Sequence, residues 1–384
     1  MTDRYIPIID QRKASSSAEV AQLIQQGELT VNDKVVDRLS RPFRDLRISV
    51  TDRCNFRCSY CMPKSVFDRD YAYLPQKDLL RFEEITTIAA AATRLGVKKI
   101  RITGGEPLLR KNLEVLIAQL SELRTTHGEP LDLTLTTNAS LLKRKAQSLK
   151  DAGLKRLTIS LDAMDDAIFR QMNDMDFPVS DVLQGIDTAL AVGFEDIKVN
   201  MVVKRGTNES QIVPMAAHFR GSGVALRFIE YMDVGESNGW RMDEVLPSSE
   251  VLALLQTRWK LKALPAKSVG ETAKRYGYLN DRGDLDPNLG EVGFISSVTQ
   301  AFCGDCNRAR LSTDGRLFSC LFATDGANIR DLVRDASTED IDTLAHHLAH
   351  LWQGRSDQYS ALRQAGVLPA GNAKQRIEMS YIGG

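Results

Sequence analysis

Strand-like and helix-like segments alternate along the middle of this chain. Amphipathic helical patterns separate the strand-like segments, as at Phe82–Leu95, where apolar residues follow the 3.6-residue period and Gly96 is placed to end the helix. This alternation predicts right-handed βαβ units and a parallel sheet, either an open doubly wound sheet or a partial barrel. In a barrel, functional residues lie at the C-terminal ends of the strands. The predicted strands are Leu46–Val50, Val97–Thr103, Leu131–Thr137, Lys155–Leu161, Asp196–Val203 and Val224–Tyr231.

The pattern predicts three parts: an N-terminal extension over residues 1–45, the α/β region over residues 46–235, and a C-terminal module over residues 236–384. Ala18–Gln26 in the extension has a short helical pattern, and Asp162, Asp165 and Asp166 are typical of a helix N-terminus. Gly270–Gly290 is rich in glycine, aspartate and proline, so we expect mostly loop. The module then has short antiparallel strands, with Asp314-Gly315 as a hairpin turn: Glu291–Ser297, Arg308–Thr313 and Leu317–Cys320.

The composition excludes several classes of protein. The 384 residues are 43% hydrophobic and 26% charged, with a formal net charge of zero, which is typical of a globular protein and argues against a nonspecific nucleic-acid binder. No apolar run is long enough for a transmembrane helix, and the N-terminus lacks the apolar region of a signal peptide. We therefore expect a cytoplasmic protein that binds neither membrane nor nucleic acid.

All six cysteines fall into two sets of three, Cys54, Cys58 and Cys61 and then Cys303, Cys306 and Cys320. Such close spacing indicates metal binding in a reducing compartment. Three thiolates leave a site one ligand short, which favours iron–sulfur clusters with one iron open for chemistry. The alternatives are a zinc site with a distant fourth ligand for the first set and a zinc ribbon for the second.

The first set lies in the string LRISVTDRCNFRCSYCMP, residues 46–63, with Tyr60 immediately before Cys61. It resembles the signature of the radical S-adenosylmethionine (SAM) enzymes. The surrounding string is similar to the MoaA-type GTP 3′,8-cyclases of molybdenum-cofactor biosynthesis, and the resemblance runs from about Asp37 to Gly384. It implies a first 4Fe–4S cluster that binds SAM and yields a 5′-deoxyadenosyl radical. The SAM contacts it implies are Tyr60, Gly104, Gly105, Glu106, Ser160 and Met232.

The second set resembles the C-terminal cluster motif of the same family, which implies a second 4Fe–4S cluster whose open iron binds the base of GTP. Arg308 and Arg310 are two apart on one predicted strand, so they share a face, which we expect to point into the cavity. The chain has no P-loop, so cations on the barrel strands are the expected triphosphate ligands. The resemblance and this strand pattern predict GTP contacts at Arg47, Lys99, Arg101, Thr136, Lys198, Arg227, Arg308, Ala309 and Arg310. The predicted catalytic residues are Arg308, Arg310, Gly383 and Gly384, because members of this family end in a Gly-Gly tail that enters the active site.

The resemblance implies an α/β fold, an incomplete (βα)6 TIM-like radical SAM barrel with a small C-terminal α+β module that carries the second iron–sulfur cluster. It implies conversion of GTP to (8S)-3′,8-cyclo-7,8-dihydroguanosine 5′-triphosphate, with an external electron donor and with cyclic pyranopterin monophosphate synthase as the next enzyme. A homodimer is compatible with it. Two alternatives stay open: another radical SAM enzyme with an auxiliary cluster, such as a peptide modifier, and a non-enzymatic zinc protein.

Overall fold

A twisted run of six parallel strands forms the centre of the protein. The computed structural model describes residues 35–335, 340–367 and 376–383. The six strands pair in sequence order, as expected for consecutive βαβ units. They are β1 (Asp45–Ser49), β2 (Lys99–Thr103), β3 (Asp132–Thr137), β4 (Arg156–Ser160), β5 (Asp196–Val203) and β6 (Val224–Glu230). All six predicted strands are therefore confirmed, with ends displaced by at most two residues.

Helices connect these strands. The first, α1, begins after Arg81, whose backbone N–H donates to the Glu84 carboxylate (2.7 Å), and the Arg81 guanidinium also donates to that carboxylate (3.1 Å). The next five are α2 to α6, and the predicted aspartate-rich helix start is α4. The helices through α6 are Phe82–Arg94, Leu113–Ser121, Leu142–Asp151, Asp166–Asn173, Val179–Ala191 and Ile212–Phe219.

The C-terminal third extends this sheet on both edges. β9 (Glu291–Ile295) pairs parallel with β6, and β10 (Arg308–Leu311) pairs parallel with β1. These segments were expected to be antiparallel strands of a separate module, so that expectation was incomplete. On their outer sides the pairing is antiparallel, where β8 (Lys274–Tyr278) adjoins β9 and β11 (Arg316–Phe318) adjoins β10. The sheet nevertheless stays open, because each of its end strands, β12 (Ala327–Asn328) and β7 (Leu261–Ala263), pairs on one side only within the described residues.

The remaining elements complete the C-terminal third. The expectation of loop over Gly270–Gly290 was wrong in part, because β8 (Lys274–Tyr278) forms there against β9. The predicted turn before β11 is confirmed, with Gly315 at φ +87°. The other elements are β7 (Leu261–Ala263), β12 (Ala327–Asn328), α7 (Ser248–Gln256), α8 (Arg330–Arg334), α9 (Ile341–Gln353), α10 (Tyr359–Gln364) and α11 (Met379–Ile382).

Alternation along the strands separates an apolar layer from a polar interior. Leu46, Ile48, Ile100 and Ile102 are fully buried and belong to the core between sheet and helices. The residues between them point to the other face of the sheet, where charged and hydroxyl side chains meet. The fold thus collects polar groups inside the incomplete barrel, where ordinary globular packing would place apolar ones.

Two further sequence predictions concern the N-terminal helix and membrane-spanning segments. The helical pattern at Ala18–Gln26 lies outside the described residues. Among the helices within residues 35–335, 340–367 and 376–383, none combines the length and apolar character that crossing a membrane requires.

Candidate active site

The first cysteine set lies in the loop after β1, at the C-terminal end of the barrel strands. The Cys58 carbonyl accepts hydrogen bonds from the amides of Cys61 and Met62, both at 2.9 Å. The Arg57 guanidinium donates to the Cys54 carbonyl (2.7 Å) and to two other loop carbonyls. The three cysteines are free thiols and line one cavity. The loop is thus folded around backbone hydrogen bonds that leave its sulfur atoms available.

The electrostatics of this set fit an iron–sulfur cluster. Burial, with a smaller effect of Glu106, raises the pKa of the Cys54 thiol to about 12. Burial and neighbouring negative charges likewise raise the pKa values of Cys58 and Cys61. Thiolates at such positions need a bound cation, and a coordinating metal deprotonates a thiol outright. Three soft ligands with no fourth cysteine leave one iron of a 4Fe–4S cluster open.

Gly104 and Gly105 let the loop after β2 pack directly on the cysteine loop. Gly104 has φ +153°, and a Cβ there would lie 2.5 Å from the Thr51 carbonyl oxygen. A Cβ on Gly105 would collide with the Arg53 carbonyl. The Gly105 and Glu106 amides donate to these two carbonyls, each at 2.8 Å. Only glycine allows this approach, which brings the backbone of both loops to the cavity wall.

Glu106 is buried behind the cavity wall. Its carboxylate is buried and accepts hydrogen bonds from the Leu108 amide (2.9 Å), the Thr137 hydroxyl (2.7 Å) and the Asn138 amide (2.7 Å). Burial outweighs these bonds and raises the pKa of Glu106 to about 7. Glu106 therefore ties the β2 and β3 loops together, and Thr137 and Asn138 line the cavity in its stead. A contact between its carboxylate and SAM stays a prediction.

Tyr60 and Asp162 form a hydrogen-bonded pair in the cavity wall. The Tyr60 hydroxyl donates to Asp162 Oδ2 (2.8 Å), and Asp162 Oδ1 accepts from the Val202 amide (2.9 Å). Burial raises the pKa of Asp162 to about 6, although both hydrogen bonds oppose the shift. The prediction that Asp162 belongs to a helix N-terminus was wrong. Asp165 takes that role by accepting from the Ile168 amide (2.9 Å). Ser160 and Met232 also line the cavity, as predicted SAM contacts should.

Three arginines lie side by side across β10, β1 and β2. Arg47 is in register with both Arg310 and Arg101. Burial, together with repulsion from Arg310 and Arg101, lowers the pKa of Arg47 well below its ordinary value. Burial and then Arg308 lower the pKa of Arg310 to about 10. The Nε groups of Arg47 and Arg101 are buried without an acceptor in the described part of the chain. A polyanion in the cavity would satisfy these crowded donors.

The C-terminal tail reaches this arginine row. Arg310 donates through Nη1 to the Gly383 carbonyl, and a Cβ on Gly383 would collide with the Thr103 side chain. The Tyr381 hydroxyl donates to Asp314 Oδ1 at 2.5 Å. Gly383 thus contacts a cavity-lining arginine, and entry of the Gly-Gly tail into the active site stays a prediction. Gly384 lies outside the described residues.

The second cysteine set lines the same cavity as the first. The Arg308 Nη2 group lies 3.3 Å from Cys306 Sγ. Burial opposes ionisation of the Cys306 thiol, but Arg308 and Arg355 lower its pKa to about 6. Burial and the Asp357 carboxylate instead raise the pKa of Cys320 to about 12. Two arginines thus favour the thiolate form of Cys306, the form in which cysteine binds iron.

Several predicted GTP contacts lie elsewhere or have partners of their own. Lys99 Nζ pairs with Asp45 (3.0 Å) and Lys198 Nζ pairs with Asp196 (3.0 Å), near the N-terminal ends of their strands. Neither lysine lines the cavity, whereas Arg227 does. The Ala309 side chain faces away into the apolar core, so only its main chain is left for the predicted contact.

Thr136 meets the prediction more closely, because it lines the cavity and accepts a hydrogen bond from Arg101 Nη1 (2.9 Å). Sequence reasoning missed Arg41 and Arg355, two cavity-lining arginines that are each 2% exposed. Neither has a strand pattern or a motif around it that would mark it. Asp162 did carry a signal, since it follows a barrel strand at its C-terminal end.

Known proteins share similarity with this chain over most of its length. The Radical SAM superfamily matches residues 48–219, and the family Molybdenum Cofactor Synthesis C matches residues 224–361. The GTP 3′,8-cyclase of Acidothermus cellulolyticus is 47% identical over 367 residues, which cover 91% of this chain and 98% of that protein. The GTP 3′,8-cyclase of Staphylococcus saprophyticus is 46% identical over 353 residues, which cover 92% and 99%.

A solved structure shows the same fold. Streptococcus suis SuiB bound to S-adenosylmethionine superposes with a TM-score of 0.54 and 13% identity, over 89% of this chain and 70% of that chain. At this identity the likeness concerns the fold alone. The family matches divide the chain between α6 and β6, while the sheet pairs β6 with β5. The predicted boundary at residue 235 stays a prediction.

Proposed function

This chain belongs to the GTP 3′,8-cyclase family of radical SAM enzymes, and on that premise we propose that it converts GTP to (8S)-3′,8-cyclo-7,8-dihydroguanosine 5′-triphosphate. This reaction is the first step of molybdenum-cofactor biosynthesis. The observation that carries the proposal is the composition of one cavity: three free cysteines from each set, with a row of arginines in which two buried Nε groups have no acceptor among the described residues. Neither a zinc protein nor a peptide modifier needs such a row.

The first end of the cavity suits SAM. Cys54, Cys58 and Cys61 would hold the first 4Fe–4S cluster, which with bound SAM supplies a 5′-deoxyadenosyl radical. The backbone of Gly104 and Gly105 lines the cavity and, without side chains, allows close approach of a ligand. Tyr60, Ser160 and Met232 line the same wall.

The other end suits GTP. Cys303, Cys306 and Cys320 would hold the second cluster, with Arg308 in contact with its Cys306 sulfur. Arg47, Arg101 and Arg310 would bind the triphosphate, because guanidinium groups form bidentate hydrogen bonds with phosphate and keep their charge better than lysine when buried. Arg227 and the Thr136 hydroxyl complete this polar wall.

The chain's own contribution to the reaction is orientation and exclusion of water. The arginine row fixes the triphosphate, and the ribose is thereby held between the two cysteine sets. The tail carbonyl of Gly383 on Arg310 closes part of the cavity around the substrate. Such closure protects a carbon radical from solvent and from stray hydrogen donors. Arg308 and Arg310 are the proposed catalytic arginines, and Gly383 and Gly384 act with them.

Further partners follow from the reaction. The cyclisation ends with a further electron, so an external electron donor is required, and cyclic pyranopterin monophosphate synthase consumes the product. Free cysteine ligands favour a reducing cytoplasm. Zero net charge gives no basis for nucleic-acid or membrane binding. A homodimer is compatible with this function.

The test is an anaerobic assay of the reconstituted protein with SAM and each of the four ribonucleoside triphosphates. We expect 5′-deoxyadenosine together with loss of GTP alone and formation of the cyclised product, detected by mass spectrometry. Arg47→Lys should weaken GTP binding, whereas Arg205→Lys, an exposed control paired with Glu250, should not. Deoxyadenosine with every nucleotide intact would refute the substrate and favour a peptide. A colourless zinc protein without SAM cleavage would refute the enzyme.

A further inference from the structure

A cluster of four charged side chains, three of them buried, lies behind the second cysteine set. Asp37, Arg41 and Arg355 are 5%, 2% and 2% exposed. Arg41 Nε lies 2.5 Å from Asp37 Oδ2, and Arg355 Nη1 lies 3.6 Å from the same oxygen. Arg355 also pairs with Asp357 at 3.0 Å. The two positive and two negative charges balance, which is how charged groups tolerate burial.

Both arginines reach beyond this cluster to the cysteine loop. Arg41 Nη1 donates to the Cys303 carbonyl and to the Asp357 carbonyl, both at 2.9 Å. Arg355 Nη1 donates to the Cys306 carbonyl at 2.6 Å. Each arginine therefore fixes the main chain of one cysteine in the second set. Charge-assisted bonds of this kind are short and roughly twice as strong as neutral ones.

Aromatic packing holds the two arginines from behind. Trp352 Nε1 donates to the Arg41 carbonyl (2.9 Å), and the Arg355 guanidinium lies 4.6 Å from the centre of the Trp352 ring. Phe43 stacks on the same ring at 4.7 Å. The tryptophan belongs to α9, so this helix supports both arginines. Side chains packed in this way have little freedom to move with the loop.

One donor of this cluster belongs to a cavity-lining arginine and is unsatisfied among the described residues. Arg41 Nη2 is buried and has no hydrogen-bond partner in the part of the chain that the structure describes. Arg41, Arg355 and both cysteines of the loop line the cavity. A buried donor without an acceptor is costly, and an anionic cluster bound by these cysteines would remove that cost.

We propose that Arg41 and Arg355 are positioning residues for the second iron–sulfur cluster, holding Cys303 and Cys306 through their carbonyl groups. This inference depends on the proposed function only in requiring a cluster at the second set. Partners behind metal ligands fix ligand orientation, and their loss typically lowers metal affinity about 10- to 100-fold. The arginines thus decide how firmly the second cluster is kept, while the first cluster is independent of them.

The experiment measures each cluster separately in the full-length chain. One background replaces the first three cysteines by alanine, and the other replaces the second three. Arg41→Lys and Arg355→Lys are introduced into both, because lysine keeps the charge but has one donor group in place of the guanidinium fork. Arg156→Lys is the control, since Arg156 also pairs with two aspartates, Asp132 and Asp196, but near the N-terminal ends of the strands. Iron release to a chelator is followed anaerobically after reconstitution.

We expect iron release from the second cluster to become about tenfold faster or more in Arg41→Lys and Arg355→Lys. Release from the first cluster should be unchanged, and Arg156→Lys should match its parent in both backgrounds. Equal release rates from the second cluster in variants and parent would overturn the inference alone. Equal acceleration in both backgrounds would also overturn it, because that indicates general destabilisation. A background that binds no iron at the second set would refute the second cluster of the proposed function as well.

Discussion

One carboxylate of the C-terminal tail makes three hydrogen bonds to the barrel, and its removal should weaken docking of the tail. Glu378 Oε1 accepts hydrogen bonds from the amides of Glu236 (3.0 Å) and Ser237 (3.1 Å), and its Oε2 accepts from the Ser237 hydroxyl (2.9 Å). These donors belong to the loop after β6. The tail beyond Glu378 ends with Gly383 on Arg310. Glu378→Ala deletes all three bonds and leaves the Arg310 contact in place.

The free energy by which Glu378→Ala should weaken tail docking follows from these three hydrogen bonds. A hydrogen bond contributes about 0.5–1.5 kcal/mol net, and the partly exposed position favours the lower half of that range. Three bonds then amount to about 2 kcal/mol. Since 1.4 kcal/mol corresponds to a factor of ten, the ratio of docked to undocked tail should fall about 30-fold. Gly235→Ala should act in the same direction, because a Cβ on Gly235 would collide with the Glu378 carboxylate.

Hydrogen exchange reports this equilibrium directly. The Ile377 amide donates to the Ala323 carbonyl only when the tail is docked (3.3 Å), so its protection should fall with the docked fraction. Cyclised product per deoxyadenosine should fall in parallel, while SAM cleavage continues. Glu250→Ala, an exposed carboxylate paired with Arg205, is the control. Unchanged protection of Ile377 in Glu378→Ala would refute this account of the tail.

Three further changes have defined outcomes. Glu230→Ala should lower the free energy of unfolding by about 3–5 kcal/mol in urea denaturation. The reason is that this buried carboxylate accepts five hydrogen bonds, including those of Ser248 and Val298. A loss of under 1 kcal/mol would contradict this prediction. Burial holds the pKa of Asp162 at about 6 against an ordinary 3.8, so between these pH values the native state keeps a proton that the unfolded chain has lost. The free energy of unfolding should therefore fall by about 3 kcal/mol as the pH rises from about 4 to about 6. Asp162→Asn should remove this dependence on pH. Burial and neighbouring cations lower the pKa of Lys198 to about 8 from an ordinary 10.5, so between these pH values the unfolded chain keeps a proton that the native state has lost, and the free energy of unfolding should rise with pH; an equal rise in Lys198→Met, measured by urea denaturation, would refute this.

Local patterns predicted the barrel strands well and their final partners less well. The segment predicted as Asp196–Val203 forms over the same residues, because hydrophobic alternation and flanking turns are local properties. The pairing of β10 with β1 has no local signal, since Asp45 and Arg308 are adjacent only after the chain has folded. β8 was missed because Lys274–Tyr278 is short and lies among turn-forming residues.

In the site, too, features with a local sequence pattern were predicted and features that depend on distant contacts were not. Arg47 and Arg310 were predictable because strand periodicity assigns each to a face. The pairing of Lys198 with Asp196 was not predicted, although the two residues share a face, because the sequence does not show which ionic partner a side chain selects. Arg41 lies in a turn outside any periodic element, and its distance from Cys303 in the sequence hides their contact. Resemblance to a known family identified the cysteine motifs, and the structure identified the side chains, such as Arg41, that bind the main chain of those motifs.

The path of residues 296–307 has a consequence for folding of this protein during its synthesis. That segment leaves β9 on one edge of the parallel strands and enters β10 on the other, so the last third of the chain covers both edges. On the ribosome, the six central strands emerge first, and the sheet they form has two unpaired edges until residues 291–311 are synthesised. Such edges invite pairing with other chains. A chain that stopped before residue 291 should therefore aggregate, and a nonsense mutation there would remove the protein from the cell altogether.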